Sequence, residues 1–291
     1  MFLPQKVYTF ANEIQYRVIS KQTYNMTDKA RNPKIIFFDI DGTLVSFQTH
    51  HVPQSAIDAI HRIREKGVKV WIATGRPIPF IDNLGELEYD GIISVNGGHC
   101  QMKDGTVIFS RPVDQEDVAR MIEEQEKTGM AVAYAGNDKA ILVAPKGIPE
   151  SVTDVFELLD IKRPELHDSQ EALSFQVMQV IAFFTEAESQ HIMTDILRHC
   201  NENRWHPDFA DCVANGTDKA TGIDAVIRHY GIDLADTMAF GDGGNDISMI
   251  SHAGTGVAMG NASDTVKASA DIVTTSVDDN GVANILNNLY L

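Results

Sequence analysis

Two aspartates separated by one residue, Asp39 and Asp41, follow the apolar run 35–38 (IIFF) and directly precede Gly42. A single acid after a buried strand is explained well as a turn former. Two acids followed by a turn suggest a site for a positively charged or electrophilic partner. Taken alone, Asp39 and Asp41 could both be turn formers as well, and only the further clusters described below favour chemistry.

Three further polar clusters lie where predicted strands end or predicted helices begin. Thr74-Gly75-Arg76 follows the apolar stretch 68–73 (VKVWIA), Lys219 lies near the start of a predicted helix over 217–230, and GDGGND (241–246) follows the predicted strand 237–240. In open parallel sheets, ligands bind beyond the carboxyl ends of the strands. We therefore expect the clusters to meet at one edge of a sheet.

Together the clusters have the groups that bind phosphate and a divalent metal. Asp39 and Asp242 offer hard oxygen ligands of the kind that Mg²⁺ prefers. Lys219 offers a fixed positive charge, and a metal and a lysine allow a carboxylate to approach a phosphate dianion. The other expected phosphate donors are the Thr74 hydroxyl and the backbone N–H groups of Gly42 and Gly75.

This chemistry assigns a different role to each acid of the first cluster. The carboxylate of Asp39 is predicted to attack phosphorus and form an aspartyl-phosphate. Asp41 is predicted to protonate the leaving alkoxide and then to take a proton from the water that hydrolyses the intermediate. Phosphoryl transfer needs mainly positioning and charge neutralisation, which these groups provide.

Four sequence motifs resemble those of the haloacid dehalogenase-like phosphatases, in the same order and with similar spacing. They are DIDGTL (39–44), ATGRP (73–77), DKATGI (218–223) and GDGGND (241–246). The large insert between the second and third motifs resembles the Cof-type subfamily with a type IIB cap. The stretches FFDIDGTLVSF, RWHPDFADC and FGDGGNDISM resemble its hexose-phosphate phosphatases. The resemblance covers about residues 34–291.

The resemblance implies a role for each matching residue. Asp39 would be the nucleophile and Asp41 the acid/base, and Mg²⁺ would be bound by Asp39, Asp242 and the backbone carbonyl of Asp41. Asp246 would orient Lys219 or the water shell of the metal, although a helix N-cap is an equally good interpretation. The phosphate would be held by Thr74, Gly75, Lys219 and Asn245 and by the N–H groups of Ile40 and Gly42.

The candidates for substrate contact are Arg76 and residues of the insert. Arg76 either contacts the substrate or pairs with the acidic surface. Trp205 and His206, with Asp208 and Phe209, are candidates for contacting a leaving group. His206, Asp208 and Asp211 are interpreted as polar surface residues near the hinge of the cap rather than as a second metal site. GTGVAMG (254–260) is not a dinucleotide loop, because Met259 stands where the third glycine of that pattern is required.

The order of predicted elements indicates the fold class. Strand–helix–strand patterns at both ends predict an α/β, doubly wound, parallel-sheet core over residues 34–112 and 215–291. A mixed stretch over residues 113–214 predicts an inserted α+β lobe, the type IIB cap of the resemblance. Within it we expect a helix over 186–200. Residues 1–33 are expected to be a dispensable N-terminal extension, with Met26 as an alternative start.

The amino-acid composition limits the classes of partner and the compartments in which the protein is expected. A net charge of −17 and a pI near 4.9 argue against nucleic acid. The longest strictly apolar run, MAVAYA, has six residues, far short of the roughly 20 that cross a bilayer. Three cysteines without a CxxC pair suit a reducing cytoplasm.

We therefore expect Mg²⁺-dependent hydrolysis of a small phosphomonoester in the cytoplasm, with hexose phosphates as the first choice, by a monomer or weak homodimer. A flavin-pathway intermediate or pyridoxal phosphate is the alternative substrate. A phosphomutase and a receiver-like phosphate-sensing module are the alternative functions.

Overall fold

The computed structural model describes residues 32–289. The predicted N-terminal extension lies outside this range apart from its last two residues, and the side chain of Trp205 lies outside the described part as well. None of the helices in residues 32–289 combines the length and the apolar character needed to cross a bilayer.

The chain forms two lobes, and the first is built from both ends of the described sequence. We call it the core lobe. Its first part contains β1 (Ile35–Phe38), α1 (Gln54–Glu65), β2 (Lys69–Ala73), β3 (Gly91–Ser94), β4 (His99–Met102) and β5 (Val107–Ser110).

The second lobe is inserted after β5, and we call it the inserted lobe. It contains α2 (Gln115–Thr128), β6 (Val132–Ala135), β7 (Ala140–Val143), α3 (Glu150–Leu158), β8 (Gln179–Ala182), α4 (Glu186–His191), β9 (Cys200–His206) and β10 (Phe209–Ala214). The chain then returns to the core lobe with α5 (Lys219–Tyr230), β11 (Thr237–Gly241), α6 (Ile247–His252), β12 (Thr255–Ala258), α7 (Asp264–Ala268), β13 (Ile272–Val273) and α8 (Gly281–Leu286).

The core sheet has the strand order β13-β12-β11-β1-β2-β3-β4-β5 among the described residues. The strands from β13 to β3 are parallel, whereas β4 and β5 are antiparallel to their neighbours. The chain winds outward from β1 in both directions, so the switch point of the sheet lies beside β1. The predicted doubly wound α/β fold is thereby confirmed.

Burial in β1 explains why helices cover both faces of this sheet. Ile36 and Phe38 belong to one apolar cluster, and Ile35 and Phe37 belong to another. Side chains alternate between the two faces of a strand, so a strand that is apolar throughout must be covered on both sides. The strand therefore ends deep between two packed layers, with Asp39 next in the chain.

The inserted lobe has an antiparallel sheet in the order β7-β6-β8-β10-β9. Helix α2 packs on it through Val118, Met121 and Ile122, which join the apolar cluster of that lobe. This is the predicted α+β insertion. Its boundaries at residues 113 and 214 remain a prediction.

The helix expected over 186–200 is wrong only in its last four residues, since the chain is helical as far as Ile196. Helix α4 ends at His191, a short π-helical segment follows over Ile192–Ile196, and β9 already begins at Cys200. Cys200 pairs with Ala214 of β10, and Leu197 is fully buried in the lobe. Strand pairing and burial outweigh the helical preference of this stretch, because intrinsic propensity is weak compared with tertiary packing.

Candidate active site

The first, second and fourth polar clusters meet at one edge of the core sheet. Phe38, the last residue of β1, pairs in parallel with Phe240 of β11 and with Ile72 of β2. Because parallel strands in this register end together, the residues that follow them are neighbours. Asp39, the turn after Gly241 and the turn at Thr74 consequently surround one pocket.

The turn after β1 is held by its own backbone. The carbonyl of Ile40 accepts the N–H groups of Leu44 and Val45 at 2.9 and 2.7 Å, and the N–H of Gly42 donates to the carbonyl of Val45 at 2.8 Å. The predicted phosphate contact of the Gly42 N–H is therefore wrong for this geometry, since that donor is already used.

Two other backbone donors of this turn are available. The N–H groups of Ile40 and Asp41 donate no hydrogen bond to any residue in the range 32–289. An unpaired donor beside a strand end is a place for an anion. The phosphate contact of the Ile40 N–H therefore stays a prediction, and the N–H of Asp41 is a second available donor beside it.

Asp242 is held from two sides. Its Oδ1 accepts the Thr43 hydroxyl at 2.8 Å, and its Oδ2 accepts the Asn261 amide at 3.0 Å. The same Asn261 amide donates to the carbonyl of Gly42 at 2.9 Å. Sequence reasoning missed Asn261, which lies outside the four motifs. The three residues fix the Asp242 carboxylate against the first turn.

Lys219, the first residue of α5, is completely buried. Its Nζ donates to Oδ1 of Asp39 at 2.6 Å and to Oδ1 of Asp246 at 2.5 Å. Oδ2 of Asp39 accepts no hydrogen bond within the described part of the chain. The lysine therefore orients Asp39 through Oδ1 and leaves Oδ2 available in the pocket.

Asp246 is also completely buried and has two tasks. Oδ1 accepts from Lys219, while Oδ2 accepts the backbone N–H groups of Asp242 and Gly243 at 2.9 and 2.8 Å. It thus closes the turn after β11 and aligns Lys219. The N-cap interpretation is wrong, because the Asp246 side chain makes no cap hydrogen bond to α6 and instead accepts N–H groups that precede it.

The acids of this pocket carry more negative charge than the neighbouring positive side chains compensate. Burial, followed by the charge of Asp246, raises the pKa of Asp39 well above its ordinary value, although Lys219 opposes the shift. Burial raises the pKa of Asp242 to about 7, against the hydrogen bond from Thr43. Burial would lower the pKa of Lys219, but the charges of Asp246 and Asp39 outweigh it and raise that pKa.

The donor set fits a divalent cation. Carboxylate oxygens of Asp39, Asp242 and Asp246 lie within 4.8 Å of one another. A cation placed among them would stabilise the ionised carboxylates that burial disfavours. The ligands that the sequence predicts, Asp39 and Asp242, are both in this group, and hard oxygen donors suit Mg²⁺.

Arg76 is paired with a carboxylate of the first polar cluster. Its Nε and Nη2 donate to the two carboxylate oxygens of Asp41, at 2.8 and 2.6 Å. Of the two sequence alternatives, pairing with the acidic surface is wrong because Arg76 is buried, whereas contact with the substrate stays a prediction because Arg76 lines the cavity. The guanidinium is buried and is paired with the second acid of the first motif.

The predicted phosphate-binding residues Thr74, Gly75 and Asn245 line the pocket. Asn245 is positioned by Asn96, whose Oδ1 accepts its amide at 2.9 Å. A Cβ atom on Gly75 would lie 3.2 Å from the Asn96 amide nitrogen, so this close approach favours glycine. Asn96 was missed, although an Asn-Gly-Gly turn directly after a predicted strand was a usable signal.

The pocket continues into a cavity of about 550 Å³ between the two lobes. The core lobe supplies its acidic floor, with Asp39, Asp41 and Asp242. The inserted lobe supplies an apolar wall and a polar roof. The wall contains Val155, Phe156, Leu159 and Ile161, and the polar roof contains Gln179, Glu202, Asn203, Arg204 and Asp211.

Gln179 is the most informative residue of this roof. It is only 1% exposed, and its Oε1 is buried without a hydrogen-bond partner. An unpaired buried amide is unfavourable, so a ligand hydroxyl in the cavity would stabilise it. No sequence motif indicated Gln179, because it lies inside a strand without one.

The predicted substrate contact of His206 is wrong in this geometry. His206 does not line the cavity but stacks on Phe209, which does, with ring centroids 5.6 Å apart. Phe209 lines the cavity, so its contact with a leaving group stays a prediction, and Asp208 pairs loosely with His206 instead. The backbone of Trp205 lies in β9, and its side chain is outside the described part.

A second group of possible metal ligands, Asp114, Asp117 and His199, lies in the inserted lobe. The buried carboxylate of Asp117 is already used by Arg120 and by the backbone N–H and Nδ1 of His199. These bonds give the group a structural explanation.

Comparison with known proteins agrees with this geometry. Residues 36–286 match the family model of haloacid dehalogenase-like hydrolases. A solved structure of a subclass IIB sugar phosphatase, BT4131, is 42% identical, covers 87% of this chain and 98% of its own, and superposes with a TM-score of 0.78. YkrA of Bacillus subtilis, named as a candidate phosphatase, is 33% identical over 89% of this chain and 98% of its own length. A pyridoxal phosphate phosphatase of Escherichia coli, YbhA, is 29% identical over 88% of this chain and 97% of its own length.

Proposed function

The chain belongs to the haloacid dehalogenase-like hydrolases, and on that premise we propose that it is a Mg²⁺-dependent phosphatase that hydrolyses hexose phosphates. The main support for this reaction is the position of Asp39. Its carboxylate is fixed by a buried lysine beside two free backbone N–H groups and two further carboxylates. A phosphate fits this combination because its charged oxygens meet hydrogen-bond donors while its phosphorus faces the nucleophile.

In the first half of the proposed reaction, Asp39 attacks phosphorus while the bond from phosphorus to the leaving oxygen breaks. Asp41 gives a proton to that oxygen. Lys219, the Thr74 hydroxyl and the N–H groups of Ile40 and Asp41 hold the other phosphate oxygens. Mg²⁺ bound by Asp39, Asp242 and the Asp41 carbonyl would neutralise the charge of the transferred group.

In the second half, Asp41 takes a proton from water, and the resulting hydroxide attacks the phosphorus of the aspartyl-phosphate. The bond between phosphorus and Asp39 breaks, which releases inorganic phosphate and restores the carboxylate. The proton that Asp41 gave to the leaving oxygen in the first half is thereby replaced. Since one acid attacks and the other carries the proton, the two residues are not interchangeable.

The preference for hexose phosphates rests on the cavity above the acids. Its roof is polar, with the unpaired amide of Gln179, and its wall is apolar, with Phe156 and Phe209 among the lining residues. A sugar has hydroxyl groups for such a roof and apolar C–H faces for aromatic rings. The related sugar phosphatase named above supports the same choice.

Phosphate release from a panel of phosphorylated metabolites tests the proposal. We expect continued release from a hexose 6-phosphate with Mg²⁺ present and none from the Asp39→Asn variant, which keeps the shape of the side chain without its nucleophilic charge. Asp58→Asn, on the exposed face of α1, is the matched control and should retain full activity. Isomerised sugar phosphate without release would indicate a mutase, and neither product would indicate a binding module.

Pyridoxal phosphate is the second candidate substrate, because a relative of similar length is named for it. An aromatic ring would stack in the same apolar wall. A kcat/KM for pyridoxal phosphate more than about tenfold above that for every hexose phosphate, equivalent to roughly 1.4 kcal/mol, would replace the sugar assignment.

A further inference from the structure

We infer that Arg76 is a positioning residue that makes the proton carrier Asp41 dependent on the docking of the inserted lobe. The inference rests on the proposed function, since it concerns how Asp41 is held for protonating a leaving group. It assigns to Arg76 a role that differs from binding substrate.

The first observation is the contact between the two side chains. Arg76 is 7% exposed, and its guanidinium contacts both oxygens of Asp41, at 2.8 and 2.6 Å. A planar guanidinium that binds both oxygens fixes the plane and the direction of a carboxylate, which a single contact does not do. The orientation of Asp41 is therefore set by Arg76.

The second observation is the set of acceptors on the far side of the guanidinium. Nη1 donates to the carbonyl of Phe80 at 3.0 Å, and Nη2 lies 3.4 Å from the carbonyl of Leu159. Phe80 belongs to the core lobe, whereas Leu159 directly follows helix α3 of the inserted lobe as its C-cap. The guanidinium thus spans the boundary between the lobes.

The third observation is that the core segment around Phe80, which accepts a hydrogen bond from Arg76, also makes an apolar contact with the inserted lobe. The ring of Phe80 packs edge-on against Phe156 of α3, with centroids 5.8 Å apart. Phe80 is a member of an apolar cluster whose other buried members, such as Val152 and Val155, come from the inserted lobe. When α3 separates from this segment, Arg76 loses one acceptor and the packing beside it.

These contacts have a consequence for the chemistry. Proton transfer requires the carrier to lie within hydrogen-bond distance of the leaving oxygen, so its rate depends on the orientation of Asp41. A lobe docked on Phe80 and Arg76 supports that orientation, and an open lobe does not. The proton is then delivered only when the inserted lobe covers the substrate and excludes water.

The test compares two phosphate esters with different leaving groups in the Arg76→Met variant. A hexose 6-phosphate needs a proton on its alkoxide, whereas 4-nitrophenyl phosphate releases a stabilised phenolate without one. We expect kcat/KM for the hexose phosphate to fall by about 100-fold, the lower end of what general acid catalysis supplies. The fall for 4-nitrophenyl phosphate should be less than about fivefold. Arg76→Lys, which retains the charge without the planar fork, should lie between the wild type and Arg76→Met.

Two further variants separate positioning from stability. Arg64→Met removes another partly buried arginine of the core lobe, which pairs with Asp90 at 2.6 Å away from the cavity, and should change neither substrate's turnover. In an Asp41→Asn background, Arg76→Met should have no further effect on the hexose phosphate, because the group it positions is already inactive.

Equal losses on both esters would overturn the inference and make Arg76 a purely structural residue, and so would additive losses in the double variant. Thermal unfolding of each variant establishes that the comparison is made on folded protein. A wild-type protein that releases phosphate from neither ester would overturn the proposed function and this inference with it. Phosphate release by the wild type with the wrong variant pattern overturns the inference alone.

Discussion

A Cβ atom on Gly42 would lie 2.2 Å from Oδ2 of Asp242, so the turns after β1 and β11 touch at a point that only glycine permits. Gly42 also has a φ of +82°, in the left-handed region that glycine adopts readily. The conformation and the close approach together place an expected metal ligand directly against the nucleophile's own turn.

Gly42→Ala should therefore weaken Mg²⁺ binding by displacing the Asp242 carboxylate. Isothermal titration of the metal alone measures this directly, and we expect affinity to fall by about tenfold or more. Gly105→Ala is the matched control, because Gly105 has a φ of +91° but nothing within 4 Å of an added Cβ. If both variants bind Mg²⁺ as the wild type does, the contact between the turns does not position a metal ligand.

Lys219→Met should destabilise the protein and abolish turnover. Removing one partner of a buried ion group leaves Asp39 and Asp246 uncompensated, which typically costs about 3–5 kcal/mol. The double variant Lys219→Met/Asp246→Asn removes one of those charges, so it should recover part of the free energy of unfolding but none of the activity. Urea denaturation and phosphate release measure the two effects separately. A double variant less stable than Lys219→Met would contradict the charge argument.

Gln179→Leu should alter substrate preference more than the chemical step. We expect kcat/KM for a hexose phosphate to fall by about tenfold, or roughly 1.4 kcal/mol, because a hydroxyl of the leaving group loses its partner in the roof. Turnover of 4-nitrophenyl phosphate, which has no such hydroxyl, should change little. Gln170→Leu, at an exposed position of the same lobe, is the control. Parallel losses on both esters would show that Gln179 supports the fold rather than the substrate.

The buried imidazole of His99 should make stability depend on pH. Burial lowers the pKa of His99, against the opposing hydrogen bond to Gln101 and the charge of Asp138. In the unfolded chain His99 titrates near its ordinary value, about 6.5. Between the lowered folded pKa and that value the unfolded chain binds more protons, so the free energy of unfolding decreases as pH falls.

The contribution of His99 is therefore fully present above about pH 6.5 and is lost progressively as pH falls toward the folded pKa. His99→Gln should remove this part of the pH dependence, whereas His61→Gln, at an exposed position of α1, should not. Chemical denaturation at a series of pH values between 5 and 8 compares the slopes. Identical slopes for the wild type and His99→Gln would contradict the assignment.

The amino-acid sequence by itself determined the chemistry of the floor of the pocket. The four clusters contain acids, a lysine and glycines directly after strands or at the start of a helix, and parallel strands bring such positions to one edge of a sheet. That rule needs only local information, because a strand and the residue after it can be recognised from residues that are neighbours in the sequence. It therefore placed Asp39, Thr74, Lys219 and Asp242 together correctly.

Only the tertiary structure decided the partners that approach this floor from elsewhere. Arg76 meets Asp41 from 35 positions away and the carbonyl of Leu159 from 83 positions away. Gln179 enters the cavity because β8 lies in the middle of the inserted sheet, and His206 is excluded because it stacks on Phe209. Each outcome depends on how one lobe packs against the other or on which face of a strand is covered. Such contacts join distant parts of the chain, and no short pattern of residues encodes them.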